Sequence, residues 1–182
     1  KCARRGNKLK GYKEKDLMGI PWMLAFALRA DGWYLRQDII WNKPNPMPES
    51  VRDRCTKSHE YVFLLSKNQN YYFDVDAIKE PTRRKRSVWN VQTKPYRGSH
   101  FAVYPPELIE PCILAGSEEG DIVLDPFMGS GTTAMVAKSL GRHYMGCELH
   151  EDYGNLIQKR IGESEPVNEV SQEPTINILD II

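Results

Sequence analysis

The run IVLDPFMGSGTTAMVA, residues 122–137, constrains this chain more than any other stretch. A short apolar segment, Ile122–Leu124, meets an acidic residue, a proline and an aromatic. Two glycines on either side of Ser130 follow, and then a segment of helical character. Strand, glycine-bearing loop and helix form the repeating unit of an α/β sheet, where ligands bind at the carboxyl ends of strands. Gly129 and Gly131 let the backbone pass close to a ligand. A helix starting near Thr132 offers its N-terminus to acceptors or negative charge. HYMGCEL (143–149) reads as the next strand, ending on Glu148, where a carboxylate can accept hydrogen bonds from ribose hydroxyls.

Two cofactors compete for such a loop. GSGTTA fits the dinucleotide fingerprint G-x-G-x-x-G/A, which would make the chain an NAD-dependent oxidoreductase. That fingerprint runs from the strand directly into its first glycine, whereas Asp125–Pro126–Phe127 intervenes here. A carboxylate and a ring suit a cofactor with an amine and an adenosine but no pyrophosphate, namely S-adenosylmethionine. An ordinary glycine-rich turn is the third reading.

The remaining elements follow from periodicity. Asp16 is placed to cap a helix through LMGIPWMLAFALRA, with Leu17, Ile20, Met23, Leu24, Ala27 and Leu28 at helical spacing and Pro21 in the first turn. WYLRQDIIWNK, HEYVFLLSK (59–67) and YYFD (71–74) read as three antiparallel strands at one sheet edge, with the irregular segment PNPMPES (44–50) between the first two. Helices are expected over Pro105–Ala115, Thr132–Leu140 and 151–161, and Ile122–Leu124 is expected to be a buried strand.

Charge divides the chain. Residues 1–100 hold 21 Lys and Arg against 10 Asp and Glu, net +11; residues 101–182 hold 4 against 14, net −10. A basic half fits a polyanionic partner, unless the two halves neutralise one another within the fold. The basic residues cluster at Arg52, Arg54 and Lys57, and again at Arg83, Arg84, Lys85 and Arg86 beside Trp89 and Tyr96. Cys2, Cys55, Cys112 and Cys147 form no CxxC pair, and the four histidines complete no zinc spacing, so neither a metal site nor a disulfide framework is expected. No apolar run is long enough for a membrane span.

LDPFMGSGTT, preceded by HFAVYPPELIEPCI and further upstream by DLMGIPWMLAFALRADGWYLRQDIIWNKPNPMPES, HEYVFLLSK and YYFD, resembles the DNA methyltransferases that modify exocyclic amines of bases. The resemblance covers about residues 16–161, in the β-type permuted order, in which the cofactor loop comes last. It implies a Rossmann-like fold with a mixed, mostly parallel sheet and an antiparallel edge, incomplete at the N-terminus. It implies S-adenosylmethionine as cofactor and double-stranded DNA as substrate, with adenine N6 favoured over cytosine N4. By position, His100 and Phe101 would lie over the methionine end of the cofactor. Asp125, Phe127, Gly129, Ser130 and Gly131 would form the loop, Thr132 and Thr133 would meet the cofactor carboxylate, and Glu148 would hold the ribose.

The implied organisation is a basic arm (1–15), a substrate-side half (16–78), a short basic target-recognition insertion (79–99), a cofactor half (100–162) and an acidic disordered tail (163–182). A prokaryotic or phage-encoded cytoplasmic protein is expected, with a homodimer and a restriction-enzyme partner both compatible. The family's catalytic tetrapeptide, a polar residue followed by Pro-Pro and an aromatic, is missing. Tyr104–Pro105–Pro106–Glu107, Lys94–Pro95–Tyr96 and Asn45–Pro46–Met47–Pro48 only imitate it. No catalytic residue is therefore assigned, and the tetrapeptide is expected to precede Lys1. Its true loss would instead leave a non-catalytic DNA- or cofactor-binding module.

Overall fold

The computed structural model describes residues 11–94 and 103–162. The first ten residues of the expected arm lie outside this range. The acidic tail, His100 and Phe101 lie outside it altogether.

Helix α1 (Ile20–Ala30) leads into strand β1 (Tyr34–Asn42), which pairs antiparallel with β2 (His59–Ser66). Pro21 sits in the first turn of α1, as expected, but Asp16 does not cap the helix. Its carboxylate instead accepts the Lys13 N–H at 2.7 Å, and Gly19, in the left-handed region at φ 67°, starts the helix. The short polar side chain has closed a local turn, which competes with capping. Most of the apolar residues of α1 remain exposed, and Trp22 makes its main packing edge-on against Tyr61 and Phe63 of β2.

The third strand is not YYFD. The Asp74 carboxylate accepts the N–H groups of Asp76 and Ala77, both at 2.9 Å, and this local turn replaces a ladder. The third strand is β3 (Val88–Asn90), inside the segment expected to be an exposed insertion. It runs parallel to β1, with Trp89 opposite Trp41. Both indoles are buried with Leu108, and each N–H donates to a carbonyl, Trp41 to Val91 and Trp89 to Arg86, both at 2.8 Å. Two large hydrophobes with satisfied N–H groups outweigh the polar composition around them.

The second half follows the expected order: α2 (Pro106–Gly116), β4 (Ile122–Asp125), α3 (Thr132–Ser139), β5 (His143–Gly146) and α4 (Asp152–Gly162). β4 and β5 are parallel, Asp125 facing Gly146. α3 packs its small face against both neighbours: Val136 and Ala137 meet Ile113 of α2, and Ala134 meets Met128 and Ile161.

Among the described residues the pairing forms two sheets, β2–β1–β3 and β4–β5, rather than one. β4 is not buried on this chain: Ile122 is 63% and Leu124 62% exposed. An open groove of about 540 Å³ separates the two sheets, lined by Trp41, Tyr61, Val62, Leu108, Ile113 and Leu124 among others.

Candidate cofactor site and nucleic-acid surface

Past the end of β4 the backbone turns through Gly129 (φ 53°) and Gly131 (φ 79°) into α3. Both glycines occupy a region that L side chains rarely adopt. A Cβ on Gly131 would also press on Ile157 of α4 at 3.2 Å. Gly146 is needed for a different reason. A Cβ there would lie 2.0 Å from Met128 Cε and 2.7 Å from the Asp125 carbonyl oxygen, so only a bare backbone lets β5 approach the loop this closely.

Glu148 joins the loop to the strand beside it. One carboxylate oxygen accepts the Gly129 N–H at 2.8 Å and the other the His150 N–H at 2.9 Å. Nineteen residues apart in sequence, the glycine loop and the acidic residue meet in one crevice. Two backbone donors hold the carboxylate in a fixed orientation. Phe127 is 87% exposed and Leu149 99%, each just beyond the end of one of the adjacent parallel strands. Large apolar side chains left so bare on a well-packed loop mark a surface that something covers.

The other expected loop residues are engaged by the protein itself. Asp125 accepts the Phe127 N–H at 3.0 Å through one oxygen, and through the other is bonded to the Thr133 and Tyr104 hydroxyls. Tyr104 also makes a short hydrogen bond to Thr133. Burial is the main influence on Tyr104, and the neighbouring Asp125 charge adds to it; its hydroxyl is pushed up to about 12 and stays protonated. Arg160 of α4 extends one guanidinium nitrogen to three oxygens of the loop: the Ser130 carbonyl at 3.0 Å, the Ser130 hydroxyl at 2.6 Å and the Thr132 hydroxyl at 3.1 Å. Ser130, Thr132 and Thr133 are buried, and their hydroxyls brace the loop. Sequence reasoning missed Tyr104, Arg160 and Leu149. Only Leu149, directly after the acidic residue, carried a signal that could have been used.

The basic residues do not form one patch. Arg52, Arg54 and Lys57 lie in the loop after β1, whereas 83–86 precede β3, so they leave opposite ends of that three-residue strand. Arg54 donates to Glu49 at 2.6 Å, which raises its own affinity for protons and lowers that of the carboxyl. Arg83 pairs with Glu80, whose carboxyl it holds below the usual range. The Lys85 ammonium stands 5.0 Å above the Trp89 ring. Arg52, Lys57, Arg84 and Arg86 are exposed.

The two halves share one edge. Asn45, beyond β1, exchanges two hydrogen bonds of 3.0 Å with the backbone of Thr93, beyond β3. Lys94 pairs with Glu107 at the start of α2, and Tyr104 just before it bonds to Asp125 at the end of β4. The carboxyl ends of β1, β3 and β4 are therefore linked through these side chains.

Known proteins resemble this chain in sequence and in fold. A family model described as DNA methylase matches residues 6–159. The Type II methyltransferase M.SmaI of Serratia marcescens is 58% identical over 159 residues, which are 84% of this chain and 54% of that protein. The crystal structure of the M1.HpyAVI–SAM complex superposes with a TM-score of 0.66 at 29% identity, covering 80% of this chain and 71% of that one. The PvuII DNA methyltransferase, described as cytosine-N4-specific, superposes at 0.70 with 20% identity and 84% and 60% coverage; at that identity the likeness concerns the fold. The chain spans about half the length of M.SmaI. With a family match over most of its length, and with the glycine loop and acidic strand end joined in space, this chain belongs to the DNA methylase family.

Proposed function

We propose that the whole protein transfers a methyl group from S-adenosylmethionine to an exocyclic amine of a base in double-stranded DNA, and that this chain carries its cofactor site. The observation that carries this reading is the Gly129 N–H to Glu148 bond, flanked by exposed Phe127 and Leu149. A carboxylate for vicinal hydroxyls, two bare apolar side chains for a flat heterocycle and a helix start for a carboxylate together match an amino-acid nucleoside. The cofactor, when bound, supplies an electrophilic methyl on a sulfonium.

This chain's residues bind and orient. Glu148 accepts from the sugar, the loop backbone follows the ligand, and Phe127 and Leu149 shield the heterocycle. His100 and Phe101 are assigned to the methionine end on the resemblance alone. Arg160 and the Tyr104–Thr133–Asp125 triangle hold the loop in its binding shape, so that little ordering is left for the moment of binding. The groups that receive the target amine lie in a part of the protein outside this chain. The same part supplies strand structure across the groove between β2 and β4, which would cover Ile122 and Leu124. Exposed Arg52, Lys57, Arg84 and Arg86 meet phosphates, with Arg54, Arg83 and Lys85 joining them where DNA displaces their local partners.

The test is methyl transfer from labelled cofactor to duplex DNA by the full-length protein, with product nucleosides resolved as N6-methyladenine or N4-methylcytosine and the modified site mapped. Calorimetry against S-adenosylmethionine and NAD runs alongside. Saturable NAD binding without S-adenosylmethionine binding would sink the proposal.

A further inference from the structure

The segment between β1 and β2 carries features that the cofactor site does not explain. Residues 43–58 are irregular in backbone yet braced throughout. Their base is closed by the Lys43 N–H donating to the Ser58 carbonyl at 2.7 Å and by the Lys43–Glu60 ion pair. One side is fastened to the strand beyond it by Asn42 to Asn90 at 2.7 Å and by the Asn45–Thr93 bonds. The far limb is tied by Glu49, which accepts from Arg54 at 2.6 Å and from the Lys57 N–H at 3.4 Å. Between Pro46 and Pro48 stands Met47, 85% exposed.

A loose loop could fold such a side chain back onto the protein. This one cannot do so easily: two prolines fix their backbone angles, and the braces hold both limbs. The thioether is thus kept in water, on a loop that leaves the carboxyl end of β1 and also carries the exposed cations Arg52 and Lys57. An apolar side chain held out on a stiff loop that carries more basic than acidic residues has the character of a wedge for stacked bases. Proteins that bend or open a duplex insert Met, Leu, Phe or Pro side chains between base steps. Chemistry on an exocyclic amine needs the target base out of the stack, at a cost of a few kcal/mol that such a wedge offsets by filling the space left behind.

We infer that Met47 is an intercalating wedge, entering the duplex at the target site and holding open the position vacated by the turned-out base. The inference rests on the duplex-DNA substrate proposed above. The test compares wild type, Met47→Leu and Met47→Ala in the full-length protein, on two duplexes carrying the mapped site. One has the target base paired; the other has it opposite an abasic residue, so that little pairing has to be broken.

Expected for Met47→Ala is a tenfold or greater fall in single-turnover methyl transfer on the paired duplex, with recovery to within about threefold of wild type on the abasic one. Met47→Leu should retain most of the rate. Cofactor affinity and melting temperature should stay at wild-type values, because the side chain is in solvent. An equal fall on both duplexes, no fall on either, or a lowered melting temperature would overturn the wedge while leaving the methyltransferase reading intact. If wild type transfers no methyl to either duplex, the function proposed above fails and the wedge falls with it.

Discussion

The two halves of the molecule handle charge in opposite ways. Around the glycine loop, the carboxylates of Asp125 and Glu148 are met by backbone N–H groups and by buried or half-buried hydroxyls, and the Arg160 guanidinium by loop oxygens. Small residues pack tightly around them, with Ala134 and Ala137 fully buried. In the β1–β2–β3 half, charges are met by neighbours on the surface: Lys15 by Asp53, Arg54 by Glu49, Arg83 by Glu80. Exposed pairs of this kind contribute at most about 1 kcal/mol and weaken with salt. A preorganised half binds a small ligand of fixed shape. A half with exchangeable surface pairs can trade them for phosphates. The contrast predicts that substitutions in the first half change cofactor affinity and stability, and those in the second change the salt dependence of DNA binding.

The largest effect is expected at Glu148. Glu148→Ala should weaken S-adenosylmethionine binding by roughly 10- to 100-fold, since a hydrogen bond to a charged group is worth about 1.5–3 kcal/mol; calorimetry reads this directly. Gly146→Ala should destabilise the protein by about 1–3 kcal/mol, the usual range for overpacking, because the new methyl meets Met128 and the Asp125 carbonyl. Denaturant melts measure it. Arg160→Ala should lower cofactor affinity several-fold, and Arg160→Lys should restore part of it, because a single nitrogen makes all three contacts and an ammonium also donates several hydrogen bonds from one nitrogen.

Tyr104→Phe is a smaller change, about 1 kcal/mol for the lost hydrogen bond, and it carries a pH signature. The Tyr104 pKa is raised in the folded state, so its contribution is complete below about pH 10. It is lost as pH rises toward about 12, where the unfolded chain ionises first. The Phe variant should show a shallower fall in stability over that window. In the second half, replacing Arg84 and Arg86 together should leave cofactor binding untouched and reduce the salt slope of DNA binding by about one unit per lost contact. Replacing Arg83 alone should do less, since Glu80 already occupies it. Equal slopes for the two variants would break the comparison between the halves.

Much of the cofactor half was legible beforehand because its determinants are local. The alternation of strand, glycine loop and helix is written in consecutive residues, and Glu148, expected to end the next strand, stands two residues beyond the end of β5. The β1–β2–β3 half was read less well, because two carboxylates were captured by nearby N–H groups and one strand was made by a remote contact. YYFD has the composition of a strand, but the Asp74 carboxylate takes two nearby N–H groups and closes a turn. SVWNV looks like loop inside a basic run, but Trp89 finds Trp41 nearly fifty residues away and makes a strand. The Asp16 cap failed for the same local reason as YYFD: its carboxylate found the Lys13 N–H first.

By itself the sequence determined the kind of loop at the end of β4, because only glycine supplies its backbone angles, and determined where the acidic partner would stand. It also determined that the basic residues crowd one half of the chain. Tertiary structure alone decided which side chains brace the loop, because Tyr104 reaches Thr133, and Arg160 reaches Ser130 and Thr132, only when α2 and α4 dock on α3. It decided, too, that the two basic groups separate at opposite ends of β3 and that Met47 is held out in water. Side-chain type and order are properties of the chain; which donor reaches which acceptor is settled only when distant segments pack.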